Sequence, residues 1–237
     1  MSLYFRAFLI TSLLLACALS LAAQSNVSPG PDEDPGATSA PLPDASDGPY
    51  TLRKGDNELG FWAGGSFAAT TAFGGLTDAE ADDRKFFQVG IRYGRTLYAN
   101  DSVALQYHLD AIPLAVATGN LVVNTRVAGV TTFRRETAYG AGVTPLGLQL
   151  DFANGSKVHP FIHVNGGLLI FNESMPLPDA GRVALVGETG GGVRIFTSDR
   201  NAVTLGVKFH HISNGDRSGA NRGLNQFVIY GGFSIFR

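Results

Sequence analysis

The sequence predicts an all-β chain, an eight-stranded antiparallel β-barrel of the outer-membrane type. Three observations carry that expectation. Period-two runs of apolar and polar residues recur through residues 51–237, with no amphipathic helix of convincing length. The runs reach ten residues or more, which suits a tilted strand crossing a bilayer better than a strand of a soluble sheet. The connections alternate between long loops and tight polar turns, the pattern of barrels whose short turns all lie on the periplasmic side.

The chain opens with Arg6, an apolar run from Phe8 to Leu21, and small residues at Ala22 and Ala23. Residues 1–23 therefore read as an export signal, with an apolar segment too short to span a bilayer. Within it, Leu14-Leu15-Ala16-Cys17 resembles a lipoprotein cleavage box, so lipidation of Cys17 stays open. Apolar sequence continues past Cys17 to Ala23, which favours a small apolar residue inside a discarded signal. On that reading the rest of the chain has no cysteine, no disulfide and no thiol chemistry. Residues 24–50 turn to Pro, Asp, Ser, Gly and Ala and read as a disordered leader, because they bury too little surface to offset their ordering entropy. Residues 51–237 are long enough for one domain. A net charge of −2, with no cluster of Lys and Arg, argues against nucleic acid as a partner.

Eight strands are expected, at 57–67, 86–97, 102–113, 137–152, 158–171, 183–197, 202–213 and 225–236. Phe87, Val89, Ile91 and Tyr93 alternate with Gln88, Gly90, Arg92 and Gly94, and Val103, Leu105, Tyr107 and Leu109 with Ala104, Gln106, His108 and Asp110. Short turns fall at 98–101, 153–157 and 198–201, and long connections at 68–85, 114–136, 172–182 and 214–224. Alternation alone does not tell inside from outside. A soluble lipocalin-type barrel would keep the apolar set within. The polar set favours the membrane: Arg92, Gln106, His108, Asp110, His163, Asn165, Lys208 and His210 can pair within a small lumen, and the opposite stripe carries few charges. The last strand, Phe227 to Phe236, resembles the C-terminal insertion signal of outer-membrane proteins, although Arg237 follows the final aromatic.

Several residues receive structural readings. His108, His163 and His210 belong to the lumen and lack metal-ligand spacing, so no metal site is expected. Glu188 and Arg194 share an alternation and suggest a lumen salt bridge. Trp62 and the tyrosines suit interfacial anchors. Gly190-Gly191-Gly192 lie in a strand with no helix after them, which excludes a phosphate loop.

The candidate chemistry lies near the C-terminus. Val203, Leu205, Val207, Phe209, His211 and Ser213 share one strand face, so a base and a hydroxyl continue an apolar, lipid-facing stripe. With both termini in the periplasm, that stripe ends at the outer leaflet, where lipopolysaccharide lies. Asn225 shares its face with Phe227, Ile229, Phe233 and Ile235 and points outward beside the pair. A serine activated by an imidazole in a lipid environment suggests an esterase acting on acyl chains. His211 would serve as base and Ser213 as nucleophile. Asn214, or the backbone N–H groups of Asn214, Gly215 and Asp216, would hold the oxyanion. Asp216 is a second candidate acid if its loop folds back, and Arg217 and Arg222 suit contacts to phosphate. The bland alternatives are an interfacial belt for His211 and Ser213, and ordinary turn chemistry for Asn221 and Gly223.

The segments His211-Ile212-Ser213-Asn214-Gly215 and Asn221-Arg222-Gly223-Leu224, followed by the final strand, resemble the lipid A 3-O-deacylases (PagL-type, acyloxyacyl hydrolase-like). The resemblance implies an enzyme of the outer membrane that removes the 3-linked acyl chain of lipid A through a Ser–His–acid triad, with no cofactor and no metal. Its partners would be lipid A and membrane lipid, with a homodimer possible. Asn221 would support the oxyanion site. The family's triad acid, a glutamate, falls at the position of Asn225, where an amide can orient the imidazole without supplying charge. A noncatalytic barrel of the same family, structural or lipid-binding, is the alternative.

Overall fold

A computed structural model describes residues 48–71, 77–127, 130–177, 179–217 and 223–237. The export signal, Cys17 and nearly all of the 24–50 leader lie outside the described residues, as does Asn221. The elements are β1 (Asn57–Ser66), β2 (Ala69–Thr70), α1 (Asp78–Ala81), β3 (Lys85–Ala99), β4 (Val103–Val127), β5 (Val130–Phe152), β6 (Val158–Phe171), β7 (Val183–Ser198), β8 (Asn201–Ser213) and β9 (Leu224–Phe236). Each long strand pairs antiparallel with the next. β9 returns to β1, from Glu58↔Phe236 to Gly65↔Ile229, and closes an eight-stranded barrel. The two-residue β2 carries that seam further, pairing Ala69 with Gln226 and Thr70 with Asn225.

The alternation settles which face is which. Gln88, Gln106, His108, Asp110, Asn165, Lys208 and His210 are buried in the lumen, whereas Phe61, Leu205, Phe227 and Ile229 lie 50–66% exposed on the outer wall. Polar inside and apolar outside is the inverse of a soluble carrier barrel and the arrangement a bilayer requires. Closure also leaves no open strand edge in the barrel wall, so the strands satisfy one another's backbone groups as a bilayer requires.

Two charge networks fill the lumen. In the first, Arg194 pairs with Glu58 and Asp151 at 3.0 Å each, and Ser234 Oγ donates to Glu58 Oε1 at 2.6 Å. Arg92 donates to both carboxylate oxygens of Asp110, at 2.7 and 2.8 Å. In the second, Glu188 accepts from Lys208 at 2.8 Å and from Asn165 Nδ2 at 2.9 Å, and meets His210 Nδ1 at 2.7 Å. The lumen salt bridge therefore joins Glu188 to Lys208, not to Arg194. Six residues along a strand separate Glu188 and Arg194 by ~20 Å, so each finds its partners on other strands, beside it or across the lumen. Trp62 also departs from expectation. It shares its parity with Glu58 and Gly60, points inward, and carries the Lys208 ammonium 3.9 Å above its ring.

Both mouths are stopped. At the periplasmic end, Leu52 is buried with Phe196, Ala202 and Phe236. Asn154 clamps it there, accepting from Leu52 N at 2.9 Å and donating to Leu52 O at 3.0 Å. At the other end Met175, Leu177 and Ala180, from the β6–β7 connection, pack with Phe86, Phe171, Ile212 and Leu224. The long loop expected at 114–136 is not one. β4 and β5 run on through it as a paired ribbon to Val127↔Val130. β3 accompanies β4 only to Thr118, and β6 accompanies β5 only to Gly140, so the ribbon extends past both neighbours. Its Val- and Thr-rich sequence keeps the strand going where a loop was expected.

Candidate active site

Strand pairing builds the site as a row across the outer wall. His211 on β8 faces Gly187 on β7 and Asn225 on β9, and Asn225 in turn faces Thr70 on β2. Residues directly opposed in an antiparallel ladder share a face, so these side chains line up on the lipid-facing side. The next residue of β8 on that face is Ser213, about 6.6 Å further along the strand and opposite Leu185. One step in the other direction, Phe209 and Phe227 form an edge-to-face pair with centroids 5.6 Å apart. Below them the wall continues as Val207, Ile229, Leu205 and Phe233, all exposed. A polar site thus caps an apolar wall.

The central contact is short. Nδ1 of His211 lies 2.6 Å from Oδ1 of Asn225. An amide oxygen only accepts, so this contact places the imidazole proton on Nδ1 and leaves Nε2 as the basic nitrogen. Asn225 is 3% exposed and Ser213 6%, so both lie out of bulk water although they face outward. Gly223 closes over the imidazole. A β-carbon there would stand 2.4 Å from His211 Cε1, a distance no side chain tolerates. Turn chemistry is the bland reading of Gly223, and the close approach to His211 gives it a structural role beyond that.

Ser213 leads into a tight turn. Gly215 and Asp216 have φ of 64° and 62°, and Arg217 N donates to Asn214 O at 3.4 Å, the signature of a type I′ turn. Asn214 secures it. Its Nδ2 donates to Ala180 O at 3.1 Å, and its Oδ1 accepts from Asp216 N at 3.0 Å. Arg217 adds a strap, with Nε to Asn214 O at 2.9 Å and a terminal nitrogen to Val183 O at 3.3 Å. The β6–β7 connection that stops the mouth therefore also holds the turn after the serine. The structure joins His211 and Asn225, sets Ser213 beside them, and gives Asn214 a bracing contact through its side chain. Asp216 is exposed at the turn, and Nδ1 of His211 is met by Asn225 instead. Thr70, the far member of the row, carries no sequence signal of its own. Among the described residues no group of His, Cys, Asp and Glu could hold a metal ion.

A family model described as lipid A 3-O-deacylase (PagL) matches residues 87–234. That span holds His211, Ser213 and Asn225. Among solved structures, the chain is similar to the outer membrane enzyme PagL, at 13% identity over 75% of this chain and 97% of that one, with a TM-score of 0.50. It is also similar to neisserial surface protein A (NspA), at 12% identity over 77% and 97%, with a TM-score of 0.44. A third is the N-terminal barrel domain of Pseudomonas aeruginosa OprF, at 12% identity over 78% and 100%, with a TM-score of 0.39. At these identities the likeness concerns the barrel. No curated protein matches the sequence.

Proposed function

Given that this chain belongs to the lipid A 3-O-deacylase (PagL) family of the outer membrane, we propose that it hydrolyses an ester-linked acyl chain of lipid A, the 3-O chain, by a Ser–His mechanism. The 2.6 Å contact between His211 Nδ1 and Asn225 Oδ1 carries this reading, because it gives the imidazole the tautomer a general base needs.

Lipid A lies in the outer leaflet with its sugar near the rim and its acyl chains against the wall. The ester carbonyl reaches Ser213 from the side, while its chain follows the apolar surface below Phe209 and Phe227. His211 Nε2 takes the proton of Ser213 Oγ as the oxygen attacks the carbonyl carbon. The tetrahedral oxyanion requires donors aimed at it. Asn214 Nδ2 is committed to Ala180 and Asp216 N–H to Asn214, so the N–H of Gly215, first in the turn, is the proposed donor. The imidazolium returns its proton to the leaving sugar hydroxyl. A water then repeats the sequence on the acyl-enzyme and releases the fatty acid. Asn225 holds the ring and supplies no charge, so the imidazolium is less stabilised than beside a carboxylate.

That missing charge favours one rival, a noncatalytic barrel of the same family. Mass spectrometry of lipid A separates the two. Cells with the wild-type protein are expected to lose one 3-linked acyl chain, and cells with Ser213→Ala to retain it. Unchanged lipid A in both, with the barrel folded in the membrane and the 3-linked chain present, favours the noncatalytic barrel.

A further inference from the structure

An asparagine in the place of a triad acid creates a requirement that a carboxylate does not. Both oxygens of a carboxylate accept, so either edge can meet an imidazole N–H. An amide has one accepting edge and one donating edge, related by a half-turn of the side chain. With Oδ1 toward His211 the ring carries its proton on Nδ1 and Nε2 is basic. With Nδ2 toward His211 the proton moves to Nε2, and the base is lost. Something must therefore choose between the two orientations of Asn225.

The row across the wall supplies it. Asn225 is flanked on one side by His211 and on the other by Thr70. Ala69, the other residue of β2, packs against the buried core beside Gln226, so Thr70 takes the opposite, outward face that Asn225 shares. Directly opposed residues place their Cβ atoms about 4.5–5.5 Å apart, within reach of a hydroxyl and an amide. Thr70 is half-buried and Asn225 fully so, which keeps water from competing strongly for the amide.

We propose that Thr70 is a positioning residue for the reaction, its hydroxyl accepting a hydrogen bond from Asn225 Nδ2 and so holding Oδ1 toward His211 Nδ1. The inference rests on the esterase reading above. Thr70 touches no reacting atom and acts through Asn225 alone. β2, too short to matter to the barrel wall, acquires a purpose as the strand that brings this hydroxyl to the seam.

The test is a cycle of variants at the two positions, in barrels whose heat-modifiable gel mobility shows them folded. Thr70→Val removes the acceptor at nearly constant shape. It is expected to lower kcat on lipid A in micelles about tenfold, with KM little changed. Thr70→Ser is expected to retain activity. In an Asn225→Glu background, where no orientation needs choosing, Thr70→Val is expected to change kcat less than about twofold. Equal losses in both backgrounds, or no loss in either, overturn the proposal. Nitrogen-15 NMR of the His211 ring reads the same point without activity. Thr70→Val should shift the proton from Nδ1 toward Nε2, and an unchanged tautomer overturns the proposal. Because that readout needs no turnover, it stands even if the wild-type protein leaves lipid A intact.

Discussion

Gly223 and the His211 ring approach so closely that a β-carbon on Gly223 would lie 2.4 Å from Cε1 and 3.1 Å from Nδ1. The glycine is a wall of the imidazole's compartment, and its lack of a side chain sets where the ring sits. Gly223→Ala is expected to push the ring off Asn225 and lower deacylation at least tenfold, since a displacement of about 1 Å can cost a hundredfold in rate. The barrel itself should fold, which its gel mobility before and after heating would show. Wild-type turnover in the variant would contradict this account of the residue.

Asn225→Glu is expected to raise turnover, and only modestly. In serine proteases the corresponding Asp-to-Asn change costs about 10⁴, largely through the wrong tautomer. Here Oδ1 already faces Nδ1, so the tautomer is right and only the charge is missing. A gain of about tenfold in kcat is the expectation, against about 10⁴ if the amide were reversed. Steady-state assays on purified lipid A in micelles distinguish the two magnitudes.

Glu58→Gln tests the lumen. Glu58 balances Arg194 at 3.0 Å and accepts from Ser234, with all three buried. Removing one partner of a buried pair leaves the other uncompensated, at a cost of about 3–5 kcal/mol. Urea unfolding in lipid vesicles should show that loss, and an unchanged midpoint would indicate that Asp151 alone suffices for Arg194.

Ile229→Arg tests the membrane face. Ile229 sits near the middle of β9, 66% exposed on the outer wall. A charge at the bilayer midplane of a barrel is expected to cost about 2–4 kcal/mol. The same substitution in a detergent micelle should cost less, so the comparison of the two unfolding midpoints is the measurement.

The strands and their faces were legible because a wall with lipid on one side and a polar lumen on the other imposes a strict period of two. The shared outward face of His211, Ser213 and Asn225 was legible for the same reason, as polar residues interrupting an apolar stripe. Pairings inside the lumen were not. Glu188 finds Lys208 and His210 through the β7–β8 register, and no reading along one strand supplies a register. The residue type of Trp62 favours the interface, whereas its parity with Glu58 and Gly60 points inward. The alternation of long and short connections places a loop at 114–136, while its Val- and Thr-rich sequence favours a strand. Thr70 was invisible, since it meets Asn225 only where the first strands of the barrel meet the last.

That seam has a temporal meaning. Asn225 belongs to β9, the strand that closes the barrel on β1 and β2. The β8–β9 ladder sets His211 opposite Asn225, whereas Thr70 meets Asn225 only across the seam that joins the two ends of the barrel. A chain whose ends are still apart has His211 and Ser213 on β8 but lacks the β2–β9 pairing. On the proposed reading, the full hydrolytic rate would wait for the barrel to close in the membrane that holds its substrate.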